Sequence, residues 1–220
     1  GFDLHCATFT KCDFHKQNLT ETNIYGCTFK ASILTHCNLS GVNIYSVYFT
    51  DSKLRHANLS GVRYEDDLDY ILEDEMKSFR GADLSFANCT FGNFIVTSFS
   101  EAILVGTDFT EADLSSCDFT DADMTDAILI RANLNSARFD GTLMTGAIIK
   151  DVSFKWCYGN NREFRRIPEA ALKYDLWAVI YTKTHICIGC KLHSIHEWDM
   201  FSPDQIDKMD EKASYWWKLN

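Results

Sequence analysis

The chain has 220 residues, is 46% apolar and carries only two prolines and eleven glycines, which excludes a disordered or collagen-like polymer. No window approaches 18 consecutive apolar residues, and no basic and apolar leader stands at Gly1-Phe2, so neither a membrane span nor a signal peptide is expected. The formal net charge of -10 is uneven: residues 1–154 hold 11 basic and 22 acidic side chains, residues 155–220 hold 10 and 9.

From the start of the chain a large apolar residue recurs every fifth position: Leu4, Phe9, Phe14, Leu19, Ile24, Phe29, and so on to Leu59 and Tyr64. Two residues before most of these stands a small one, such as Ala7, Cys12, Cys27 or Ser32. A period of five fits neither a helix nor a strand. It fits a chain that turns a corner every five residues, with one large and one small side chain pointing inward on each side. Four sides make a coil of twenty residues.

Between Tyr64 and Phe79 lie 14 residues where the repeat needs four, a surplus of ten. Asp69 and Asp74 keep the phase but are unsuited to an apolar core. Removing ten residues lets Phe9, Phe29 and Phe49 continue into Phe79, Phe99, Phe119 and Phe139, one phenylalanine ladder on one side. The segment near 65–78 is therefore expected to be an acidic loop thrown outward. Leu68, Ile71 and Leu72 have the spacing of one or two helical turns. The repeat resumes and runs to Phe154, which predicts about seven coils and, at about 4.8 Å each, a rod about 35 Å long.

A solenoid needs covered ends. Beyond Phe154 the period stops, and residues 155–220 are read as a small α+β cap. Residues 176–181 and 186–188 read as strands, and Ser202-Pro203-Asp204 as the start of a helix.

The triplets Ala57-Asn58-Leu59, Ala82-Asp83-Leu84, Ala112-Asp113-Leu114 and Ala132-Asn133-Leu134 resemble the A(D/N)LXX signature of pentapeptide-repeat proteins. The resemblance covers residues 2–154. It implies an all-β solenoid: a right-handed quadrilateral β-helix of about seven coils, with the α+β domain as its C-terminal cap. The tail from Ile188 to Trp217 resembles a segment found on bacterial and phage-encoded proteins, for which no activity is implied.

Nine cysteines do not pair evenly, and Cys12, Cys27, Cys37, Cys89 and Cys117 fall on inward positions where a thiol acts as a small hydrophobe. A reducing, cytoplasmic location is expected. His185-x-Cys187-x2-Cys190-x2-His193-x2-His196 has zinc-type ligands, and Cys187, Cys190, His193 and His196 form the candidate metal set. The second half-site such centres use is missing, so no resident cofactor is expected and zinc is the alternative. His193 and His196, three apart, suit a helix start; on the competing reading Cys190 and Ile188 pack inward at a strand-to-helix turn while the histidines lie on the surface. No phosphate-cradling loop, nucleophile elbow or H-E-x-x-H stretch occurs.

The acidic surface is the stronger signal. No Lys or Arg occurs between Arg80 and Arg131, while that run carries Asp83, Glu101, Asp108, Glu111, Asp113, Asp118, Asp121, Asp123 and Asp126. Such a belt repels phosphates, so the rod itself is not expected to bind nucleic acid, and it attracts basic grooves. Asp108, Asp113, Asp118 and Asp123 each precede an inward residue and are expected to point to solvent. The family resemblance implies a further possibility: some pentapeptide-repeat proteins look like duplex DNA and act on type II topoisomerases, and some engage the enzyme through outward loops. Glu65, Asp66 and Asp67 in this chain's loop join the belt as candidate partner-binding residues. The function read here is a non-enzymatic protein-binding rod, a DNA mimic for a bacterial DNA-handling enzyme, with homodimerisation and a passive scaffold carrying a functional C-terminal domain as alternatives.

Overall fold

A computed structural model describes residues 2–64 and 78–153, Cys157, Met200, and four short strands between Arg165 and Ser194. Through the first two ranges, parallel bridges join residues 20 apart, for example Asp13 to Ile33, Ile33 to Lys53 and Asp83 to Ile103. Four such ladders run in parallel. We number the sides in chain order by their first inward residue: Leu4, Phe9, Phe14 and Leu19 mark sides one to four.

Each side is only one bridging residue wide, because a corner follows within two residues. At every described corner except that of Glu21, the second residue is in the left-handed region, from Cys6 (φ 56°) to Asp151 (φ 57°). Positive φ at this place marks a type II turn. Most of these residues are not glycine, and Val96, at φ 55°, is β-branched. A lone side chain would avoid that conformation, so the stacked coils must hold it.

Backbone accounting explains the repeat. Around Leu114, the N–H of Ala112 closes the preceding turn on the Phe109 carbonyl at 3.0 Å. Asp113 donates to Gly92 in the coil before (2.9 Å), and Leu114 and Ser116 donate to Asn133 and Asn135 in the coil after (2.8 Å each). The N–H of Ser115 finds no backbone acceptor and donates to Oδ1 of Asp113 at 3.0 Å. The Asp or Asn of the signature is thus the acceptor for the one donor per side that the ladder leaves over.

Inside, the large residues stack coil on coil and are buried, apart from partly buried ones such as Leu4, Phe9 and Phe14 in the first coil and Ile149 in the last. Phe9, Phe29, Phe49, Phe79, Phe99, Phe119 and Phe139 form one column with ring centroids 4.8 to 5.4 Å apart. Phe49 meets Phe79 at 4.8 Å, and Tyr48 bridges Ser78, so the register steps by 30 here rather than 20. The same step joins Lys53 to Asp83 and Asn58 to Asn88. Several small inward residues that carry a donor use it. Ser32, Thr107, Cys117 and Thr142 each donate to the carbonyl of the large residue 23 positions earlier, at 2.7 to 3.1 Å. Cys157 does the same to Leu134 at 2.7 Å and is buried, so the inward pattern reaches at least that residue.

Further along, β1 (Arg165–Arg166), β2 (Val179–Tyr181), β3 (His185–Ile188) and β4 (Lys191–Ser194) form an antiparallel sheet in that order. Two of these strands match the expected ones; the start proposed at Ser202 lies outside the described residues. His193, spaced with His196 for a helix start, is instead in β4, paired with Ile186. Ile188 pairs with Lys191. Among the described residues no helix is long and apolar enough to cross a membrane.

Candidate functional site

The belt carboxylates fall into two classes that the sequence does not separate. Asp83, Asp108, Asp113, Asp118 and Asp123 occupy bridging positions on the sides and are only half-exposed. Each gives Oδ1 to a backbone N–H two residues on, at 2.9 to 3.0 Å. Asp83, Asp118 and Asp123 also accept from the hydroxyls of Ser85, Thr120 and Thr125. The expectation that Asp108, Asp113, Asp118 and Asp123 simply point to solvent is therefore corrected: one oxygen of each is engaged in holding a corner. All four remain partly exposed.

Glu101, Glu111, Asp121 and Asp126 sit at the left-handed corner positions instead and are exposed. Glu101 pairs with Arg80 at 2.7 Å, and Glu111 with Arg131. Asp121 and Asp126 have no cation partner among the described residues. Because Asp108, Asp113, Asp118 and Asp123 stand on four successive sides of one coil, the negative charge encircles the rod. Glu65, Asp66 and Asp67 lie outside the described residues.

Cys187 is in β3 and His193 in β4, but they are not paired: Cys187 faces Leu192 across the ladder and His193 faces Ile186. Cys190 and His196 lie outside the described residues. Among the described residues, no group of three His, Cys, Asp or Glu is placed to hold a metal ion. Cys37 and Cys89 are poor nucleophiles. Burial pushes Cys37 up to about 12, and burial followed by the nearby Asp108 pushes Cys89 higher still.

Two features escaped the sequence reading. Cys157 sits twenty residues after Ala137 and forty after Cys117, a spacing that marks it as inward. On the corner after side three, His36 and His56 stack at 4.9 Å and His56 stacks on Phe86 at 5.4 Å, with Arg55 over the Phe86 ring. Only the twenty-residue period with the ten-residue excision brings those rings into one column.

The family model for pentapeptide repeats matches in eight copies, over residues 3–35, 22–61, 78–115, 93–129 and 107–146. No curated protein sequence matches the chain. Among solved structures, HetL of the cyanobacterium Nostoc, a pentapeptide-repeat protein involved in regulating heterocyst differentiation, is similar at 23% identity. That alignment has a TM-score of 0.50 and covers 68% of this chain and 62% of HetL, so the chain spans less than two thirds of that protein. A pentapeptide-repeat protein of the Arabidopsis thaliana thylakoid lumen aligns at 25% identity over 52% of this chain and 66% of its own, with a TM-score of 0.34. QnrB1, a plasmid-mediated fluoroquinolone resistance protein, aligns at 14% identity over 72% of this chain and 82% of its own, also with a TM-score of 0.34. Proteins with these repeats form right-handed quadrilateral β-helices, which gives the four ladders their hand.

Proposed function

The chain belongs to the pentapeptide-repeat family, and from that premise we propose that it works as a non-enzymatic protein-binding rod whose acidic belt occupies the DNA-binding groove of a bacterial enzyme such as a type II topoisomerase. The observation that carries this reading is the unbroken stretch between Arg80 and Arg131 without a single Lys or Arg, wrapped around the rod with nine carboxylates. A groove that binds phosphates is lined with cations, and a girdle of this sign is drawn to it while nucleic acid is pushed away. The inward groups offer little chemistry of their own: Cys37 and Cys89 are buried and raised in pKa, and the large residues fill space. The test is capture of a purified bacterial type II topoisomerase by the immobilised protein across a salt series. Binding that weakens steeply with salt supports the reading, and no capture at low salt overturns it.

A further inference from the structure

One side of the belt differs from the others in what surrounds its carboxylates. On side three, Ile103 bridges Asp123 and Asp123 bridges Leu143, so three outward side chains follow one another down a single column. Adjacent members are about 4.8 Å apart. Ile103 is 43% exposed and Leu143 47%. Asp121 and Asp126 stand on the two corners that border Asp123, both exposed. No cation answers any of the three carboxylates among the described residues; Asp123 accepts only from Thr125. Gly141 and Gly146 occupy the corners next to Asp121 and Asp126, whose carboxylates lie over them, while the Phe86 ring covers the Gly106 corner.

Aliphatic side chains exposed in register with unanswered carboxylates call for a covering surface that is both apolar and cationic. Ile103 and Leu143 are two rungs apart, about 10 Å, which is the reach of three residues of polyproline II chain, whose threefold turn sets residues i and i+3 on one face. We propose that side three is a docking surface for an extended basic protein segment of the form apolar–basic–basic–apolar. Its two apolar residues cover Ile103 and Leu143, and its Lys or Arg side chains sit over Asp121, Asp123 and Asp126. This rests on the protein-binding reading above and names the side that binds and the chemistry it selects. Nucleic acid, which has the wrong charge, is excluded as the occupant.

The test uses the full chain and two fluorescent peptides of equal charge and length, one repeating Ile-Arg-Arg and the other Ser-Arg-Arg. The Ile peptide should bind about tenfold or more tightly, the equivalent of about 1.4 kcal/mol. I103S/L143S should abolish that preference while charge-driven binding of both peptides persists. D121K/D126K should abolish binding of both; lysine is tolerated at left-handed corners, as Lys11 and Lys16 show at φ 57° and 60°. Glu111→Lys, at a corner that does not border side three, should leave the preference intact. Equal affinity of the two peptides, or a preference that survives I103S/L143S, overturns the proposal. If the protein captures a topoisomerase but ignores D121K/D126K, the location is wrong and the protein-binding reading stands. If it binds neither enzyme nor peptide, both fall.

Discussion

At the scale of single residues, position within the pentad decides what a side chain does. An aspartate before the large residue caps a corner; one two places after it is a free surface charge. Asp123 and Asp121 are two residues apart, yet only Asp123 holds a backbone N–H. The alternation of inward large and small residues is legible in the sequence because burial selects side-chain size. The capping role was not, because it depends on which N–H the ladder leaves unpaired. Thr97 shows the same logic failing at one point. By register its hydroxyl should donate to the carbonyl of Tyr64, the last residue before the inserted segment, but it is buried without a hydrogen-bond partner. Thr107, an equivalent residue, donates to Leu84 at 2.9 Å. Thr97→Val should therefore be neutral or stabilising, while Thr107→Val should cost about 1 kcal/mol, since only the second removes a formed bond. Chemical denaturation of the two variants measures the contrast; equal losses would show that Thr97 is satisfied.

At the scale of elements, the coil is the unit, and stacking of like residues is what joins one coil to the next. Phe99 lies between Phe79 at 5.1 Å and Phe119 at 5.3 Å and is fully buried. Phe99→Ala should destabilise the protein by about 3–5 kcal/mol, as expected for a buried phenylalanine whose site cannot collapse. A loss under about 1 kcal/mol would contradict its place in the column. The surplus of ten residues was legible because the phenylalanine spacing breaks without the excision. The ladder supplies the physical reason: Tyr48, Lys53 and Asn58 reach across 30 residues to the same kind of partner that others reach across 20. Deleting 66–75 should consequently preserve the fold, with circular dichroism unchanged and a cooperative unfolding transition retained. Loss of that transition would mean the segment is needed to hold the two halves in register. The C-terminal sheet was only partly legible. Its short strands carry no period, and of the candidate metal set the described Cys187 and His193 fall on the paired strands β3 and β4.

At the scale of the whole molecule, charge is segregated along the rod. Residues 1–64 carry six basic and four acidic side chains, whereas residues 81–130 carry none and nine. The two regions lie in successive coils, so the rod is electrostatically polar along its axis. The belt itself was legible as a gap in Lys and Arg. Its shape was not, since only the folded coil sets Asp108, Asp113, Asp118 and Asp123 on four different sides. That geometry also dictates how the belt should be tested. Reversing those four would remove corner-capping bonds, at about 1 kcal/mol each, and confuse folding with binding. Reversing the corner residues Glu101, Glu111, Asp121 and Asp126 changes the charge by eight units and touches no backbone hydrogen bond made by their side chains. The decisive measurement is the affinity of a purified type II topoisomerase for the parent and for this E101K/E111K/D121K/D126K variant, with and without linear duplex DNA as competitor. The account predicts that the parent binds and is displaced by DNA, and that the folded variant loses at least about a hundredfold in affinity. A folded variant that binds as tightly as the parent, or a parent complex that duplex DNA does not displace, would contradict it.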